Sequence, residues 1–279
     1  MEITDDLVSD SDDPNADVVF TSANYSVTNQ TFRTSERDNV SSVLVDAIAN
    51  ADESIRIASG HLRSRPVSEA LIARAEADPS LDIRVYLDGQ EYISPYSHDA
   101  QVVKVETCLA NATTDTQERN CLARGFLFGY QVGETDGIDV RYKYYAYRWD
   151  HSYATQMHHK YIVIDGDELY TGSYNFSDNA EHSSFENVFV FKGAVYQQLI
   201  DQFVANFEGI WATNSDGGAL ESLLGEIQSG DSFPIVFEPM ALSHSEIRNL
   251  KSEIIDACPA VNTEEFRQNA SAHRFCDPN

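Results

Sequence analysis

The sequence predicts an α/β fold: a mixed, mostly parallel sheet flanked by helices on both faces, with a small C-terminal extension. Three observations predict it. Between Val18 and Leu87 the apolar spacing switches between two and about 3.6 residues, in the order strand, helix, strand, helix, strand. A second group of alternating segments lies between Ile138 and Phe191, and an amphipathic helix follows it.

Residues 1–16 are rich in Asp and Ser and read as a disordered segment or linker. Val18-Val19-Phe20 reads as a short strand, and Val43, Leu44, Ala47 and Ile48 as the apolar stripe of a helix. Ile55 and Ile57 alternate with Arg56 and Ala58 in a strand that ends at Gly60. Val67, Ala70, Leu71 and Ala75 mark a helix stopping before Pro79, and Ile83, Val85 and Leu87 the next strand. Residues 89–137 lose this rhythm and read as an insertion or long loop. Alternation returns at Ile138–Tyr147, Lys160–Ile164, Leu169–Thr171 and Val188–Phe191. Tyr196, Leu199, Ile200, Phe203, Phe207 and Ile210 form one face of a helix. The Gly- and Ser-rich stretch 214–230 marks a boundary. Residues 17–213 therefore read as the main domain, and 214–279 as a linker and extension with a helix near Ser245–Ala257.

At 279 residues the chain can bury a sizeable core. It has no run of 18 apolar residues that would span a membrane, and no basic-then-apolar leader is visible at its start. The net charge is −26, with five Lys against fourteen Arg. Such a surface repels polyanions at long range, so tight non-specific nucleic-acid binding is disfavoured unless charge is segregated. Adaptation to a salty medium is the plainer reading of the same charge. Cys108, Cys121, Cys258 and Cys276 form no C-x-x-C pair and have no His at zinc spacing, so neither metal nor cofactor is expected. Their even number and local spacing would suit two disulfides, Cys108–Cys121 and Cys258–Cys276, in an extracytoplasmic or secreted protein; four buried thiols are the alternative.

The most informative stretch runs from His158 to Asn175, HHKYIVIDGDELYTGSYN, followed after a gap of ten residues by Glu186. It fixes a His, a Lys, an Asp, a Gly-Ser pair and an Asn as H-x-K-x4-D-x6-G-S-x-N. With period-2 alternation, His158 and Lys160 share one face of a strand, while His159 points to the other and is expected in the core. Asp165-Gly166-Asp167 reads as a hairpin turn, with Asp165 supporting it rather than touching substrate. Gly172, lacking a Cβ, would let the backbone approach a ligand, and Ser173 and Asn175 offer a hydroxyl and an amide to the same spot. Imidazole, ammonium, hydroxyl and carboxamide around one point can attack a phosphodiester without a metal. Glu186 is a natural orienter for a His ring nitrogen.

These residues resemble the phospholipase D superfamily, whose signature they match without gap or substitution, and the similarity extends from Val18 to about Trp211. The resemblance implies that His158 attacks phosphorus and forms a covalent phosphohistidine. Lys160, Ser173 and Asn175 would bind the non-bridging oxygens, with Glu186 holding the tautomer. It also implies a pair of H-x-K motifs, since one His cannot be nucleophile and general acid in the same step. Only one motif is present. A homodimer pooling two His158 residues is therefore expected. His61-Leu62-Arg63 is the nearest second candidate, but it reads as the end of a core strand. His98, His151 and His182 are candidates for the cleft rim.

Two substrate classes remain open, phospholipid in the lead and DNA or RNA as the alternative, beside a non-catalytic module that only binds a phosphate ligand. The basic and aromatic segment Arg141–Trp149, with Arg141, Lys143, Tyr145 and Arg148, would suit base stacking or a lipid headgroup interface with peripheral membrane contact equally well. A strand with one aromatic face in the core is the plainer reading.

Overall fold

The structure is a computed structural model and describes residues 12–33, 38–93, 100–122, 126–144, 156–229, 239–257 and 264–268. Its centre is an eight-stranded mixed sheet. In chain order the strands are β1 (Ala16–Phe20), β4 (Ser54–Ser59), β5 (Asp82–Asp88), β6 (Ile138–Tyr144), β7 (Lys160–Ile164), β8 (Glu168–Gly172), β9 (Asn187–Lys192) and β10 (Met240–Ser243). Their spatial order is β1-β9-β8-β7-β4-β5-β6-β10, and a separate two-stranded ribbon joins β2 (Tyr25–Ser26) to β3 (Thr31–Phe32).

The α/β class is as expected, but the balance within the sheet is not mostly parallel. Only β4–β5 and β5–β6 pair in parallel, and β1–β9, β9–β8, β8–β7, β7–β4 and β6–β10 are antiparallel. The physical reason is connection length. Helical crossovers separate β4, β5 and β6, whereas β7 returns into β8 through a tight turn that permits only antiparallel pairing. In that turn Asp165 (φ 52°) and Gly166 (φ 73°) both occupy the left-handed region, as a two-residue hairpin turn requires.

Each face of the sheet is covered by helices. On one side lie α1 (Asn39–Ala49), α2 (Arg65–Ala77), α6 (Phe126–Gly133), α9 (Gly218–Ser229) and α10 (His244–Ala257). Val40, Leu44, Ala47 and Ile48 form the inward stripe of α1, and Val67, Leu71 and Ala75 that of α2. They pack on Ile55, Ile57, Ile83, Val85, Ile162 and Ile164. The other face carries α8 (Gln197–Trp211), whose Ile200, Phe207 and Trp211 cover Ala58, Tyr86, Tyr161, Val163 and Leu169.

The described residues between 89 and 137 are mostly helical rather than a loop. They form α3 (Gly89–Ile93), α4 (Ala100–Asn111), α5 (Asp115–Leu122) and α6. A disulfide between Cys108 and Cys121 ties α4 to α5, while Cys258 and Cys276 lie outside the described residues. The stretch read as a linker holds α9, and the extension supplies β10 to the sheet edge beside β6, besides the expected helix α10. No helix among the described residues is long and apolar enough to cross a membrane.

Candidate active site

The hairpin β7–β8 delivers the motif. Asp165 locks it: its carboxylate accepts N–H bonds from Asp52 (2.9 Å), Glu53 (2.7 Å) and Ser54 (2.8 Å), and its own N–H donates to the Ser54 carbonyl (2.8 Å). The turn is thus pinned to the start of β4, at the end of β7 remote from His158.

The ladder begins at Lys160, so His158 and His159 extend past the end of the sheet and both are exposed. This corrects the expectation that His159 packs in the core: its ring leans on Tyr161, with centroids 5.5 Å apart, from the solvent side. The approach to His158 is anchored by Asp88, a buried carboxylate that accepts the Met157 N–H at 2.5 Å. Lys160 folds back so that Nζ lies 3.2 Å from His158 Nδ1, 3.4 Å from Nε2 and 3.1 Å from its carbonyl oxygen. Burial lowers the Lys160 pKa, and the charge of Glu186 acts in the opposite direction. Glu186 thus lies within electrostatic range of Lys160.

Gly172 ends β8 in close contact. A Cβ there would lie 2.2 Å from the Asn187 carbonyl oxygen, so the glycine serves the approach of β9 rather than of a ligand. Ser173 is bound to the same residue twice. Its N–H donates to the Asn187 carbonyl (3.1 Å), and its Oγ accepts the Asn187 N–H (3.1 Å). Tyr174 and Phe176 are buried and meet edge to face at 5.8 Å, leaving Asn175 between them at the surface of a cavity. Glu186 is fixed from behind by Thr21, whose Oγ1 accepts its N–H at 2.8 Å, and its own Oε1 accepts from Ser184 Oγ at 2.8 Å.

The cavity measures about 340 Å³, and His61, Arg63, Asn175, Ser184 and Glu186 are among its lining residues. His61 and Arg63, read from the sequence as the end of a core strand, lie past the end of β4 and line this cavity. Burial first, then the charges of Arg63, Lys160 and His158, lower the His61 pKa to about 4. Its ring is therefore neutral beside the motif near neutral pH. The signal was the H-x-R triplet itself, obscured because no G-S-x-N follows it. A larger cavity of about 640 Å³ surrounds the Asp165 turn. Its walls include Asp46, Asp52, Glu53, Asp167 and Glu168, which would repel a phosphate.

The remaining candidates are placed elsewhere. His182 is not on the cleft rim but buried, with Nδ1 3.0 Å from Asp178 and Nε2 3.0 Å from Asp38. Its neighbour Glu181, with no sequence signal, accepts the N–H groups of Val40 (3.1 Å) and Ser41 (3.0 Å) at the start of α1. Arg141 donates to the Trp211 carbonyl at 2.7 Å and lies 4.5 Å over its indole. Lys143 stands opposite Asp88 in the β5–β6 register and feels its charge. Tyr142 and Tyr144 face the core. Tyr145, Arg148, His98 and His151 lie outside the described residues. Among the described residues, no cluster of three or more His, Cys, Asp or Glu is arranged to hold a metal ion.

Comparison with known proteins places this geometry. A family model described as the PLD-like domain of cardiolipin synthase matches residues 44–211, which include every motif residue. The mitochondrial cardiolipin hydrolase of Mus musculus is 36% identical over 87 residues, 30% of this chain and 34% of that protein. That of Danio rerio is 31% identical over 103 residues, 36% of this chain and 41% of that protein. The chain thus spans well under half the length of these relatives. Among solved structures, the phospholipase D family member Nuc from Salmonella typhimurium matches at 18% identity and TM-score 0.42, covering 71% of this chain and 93% of that one. NucT from Helicobacter pylori matches at 16% identity and TM-score 0.39, covering 60% and 86% respectively.

Proposed function

We propose, since the chain belongs to the phospholipase D-like family of the cardiolipin synthase type, that it hydrolyses phosphodiesters without a metal through a covalent phosphohistidine on His158. One observation carries this reading: the Lys160 ammonium lies 3.2 Å from the His158 ring, at the start of the strand whose hairpin partner β8 leads into Ser173 and Asn175. In the first step a neutral ring nitrogen of His158 forms a bond to phosphorus, and the bond from phosphorus to the leaving oxygen breaks with its electron pair. Lys160 and the Asn175 amide offset the charge that develops on the non-bridging oxygens, with the Ser173 hydroxyl beside them. Glu186 balances the Lys160 charge and holds the imidazole tautomer. The proton for the leaving alkoxide comes from His158 of a second copy in a homodimer. Water then attacks phosphorus, giving its proton back to the second copy's His158, the P–N bond breaks, and both imidazoles are regenerated.

The substrate is a phospholipid ester. The net charge of −26 works against polyanions, and the curated relatives are named for cardiolipin hydrolysis. A substrate panel tests the assignment. Protein dialysed against EDTA is offered phosphatidylcholine, cardiolipin, single-stranded DNA, duplex DNA and RNA. Turnover of one or both lipids is expected. Cleavage confined to nucleic acid would replace the substrate class, and binding without turnover of anything would make the chain a phosphate-ligand module.

A further inference from the structure

The backbone that carries Asn175 is strained. Phe176 sits at φ 36°, in the left-handed region that disfavours a large aromatic side chain. Such a conformation persists only where its surroundings fix it, and the fixing here comes from the segment after β4. The Arg63 N–H donates to the Phe176 carbonyl at 2.8 Å. Arg63 also bridges Ser177 in parallel, which lays the two segments side by side. Two residues before Arg63, His61 shares the cavity wall with Asn175, and its ring is hydrogen-bonded to the Asn175 main chain. That bond favours the protonated ring, so the ring is the donor and the Asn175 carbonyl the acceptor. His61 is itself held, with Ser59 Oγ donating to its carbonyl at 2.7 Å and buried Leu62 anchoring the next position.

We propose that His61 is a positioning residue of the catalytic site: it grips the Asn175 main chain and so holds the Ser173–Asn175 turn where the Asn175 amide meets a phosphoryl oxygen. The inference rests on the phosphohistidine reading above. Two successive carbonyls, of Asn175 and Phe176, are clamped by one three-residue segment. Releasing the first lets the strained turn relax and carries the amide away from the transition state. Ground-state binding, which leans on Lys160, changes less.

The test uses bis(4-nitrophenyl) phosphate as substrate and vanadate as a mimic of the pentacoordinate state. His61→Leu removes the donor, and His61→Gln keeps an N–H able to reach the same carbonyl. The expected result for His61→Leu is a kcat lower by about ten- to a hundredfold and vanadate inhibition weakened in parallel. Its KM is expected to stay within about threefold, and His61→Gln to recover most of the loss. A His61→Leu protein with kcat and vanadate inhibition within about threefold of the parent overturns the proposal. Equal losses in both variants, with lowered melting temperatures, overturn it too, because the role would then be general packing. His158→Asn run alongside separates the two readings. If it still turns over, the reaction itself is misassigned; if it is inactive while His61→Leu is unaffected, the positioning role alone fails.

Discussion

At the scale of single residues, the site rests on groups that act before any substrate arrives. Asp165 shows this best, because the motif fixes it although it stands at the wrong end of β7 to touch phosphorus. Its carboxylate satisfies three main-chain N–H groups at the start of β4. Hydrogen bonds to charged acceptors are worth more than neutral ones, but two of these three are exposed and screened. Asp165→Ala should therefore cost about 2–3 kcal/mol of stability. It should leave kcat per folded molecule nearly unchanged. Urea unfolding combined with activity normalised to the folded fraction checks both halves, and a large drop in normalised kcat would give Asp165 a direct part in the chemistry.

At the scale of elements, α6 shows how a segment with no motif controls the site. A Cβ on Gly129 would lie 2.0 Å from the Leu62 carbonyl oxygen, so α6 packs backbone to backbone against the segment that carries His61 and Arg63. Gly129→Ala must push that segment away, at about 1–3 kcal/mol for an overpacked contact. It should also lower activity, and a melting temperature and kcat equal to the parent's would show that the contact yields freely. This dependence was not legible in the sequence. Residues 89–137 lack a sustained apolar period, since α5 is almost wholly polar outside Cys121 and Leu122, so their helices read as a loop. The hairpin was legible, because Asp165-Gly166 dictates its turn and alternation from Lys160 to Ile164 dictates its faces. The sheet's parallel balance was misread because strand periodicity says nothing about partners. Only the tight connection between β7 and β8 fixes direction locally. Gly172 was assigned to ligand approach, and it is the Asn187 carbonyl that needs the space. The place of His61 on the same cavity wall as Asn175 was not legible, because it comes from a tertiary arrangement of residues more than a hundred positions apart.

At the scale of the whole molecule, one motif per chain meets a proposed reaction that needs two imidazoles. The 31.2 kDa chain should therefore scatter light as a particle of twice that mass, with activity that falls on dilution through the dissociation constant. A monomer of full activity would require the general acid to come from the same chain. The net charge of −26 adds a second condition, because two such chains repel each other and association should strengthen as salt screens them.

In the proposed reaction His158 itself is phosphorylated, and that state can be trapped. EDTA-dialysed protein is quenched in base during turnover of bis(4-nitrophenyl) phosphate and read by mass spectrometry. The expected result is a phosphoryl-ester adduct on His158, turnover unaffected by EDTA, and the loss of both adduct and turnover in a folded His158→Asn variant. Turnover that persists in His158→Asn, or that EDTA abolishes, would contradict it.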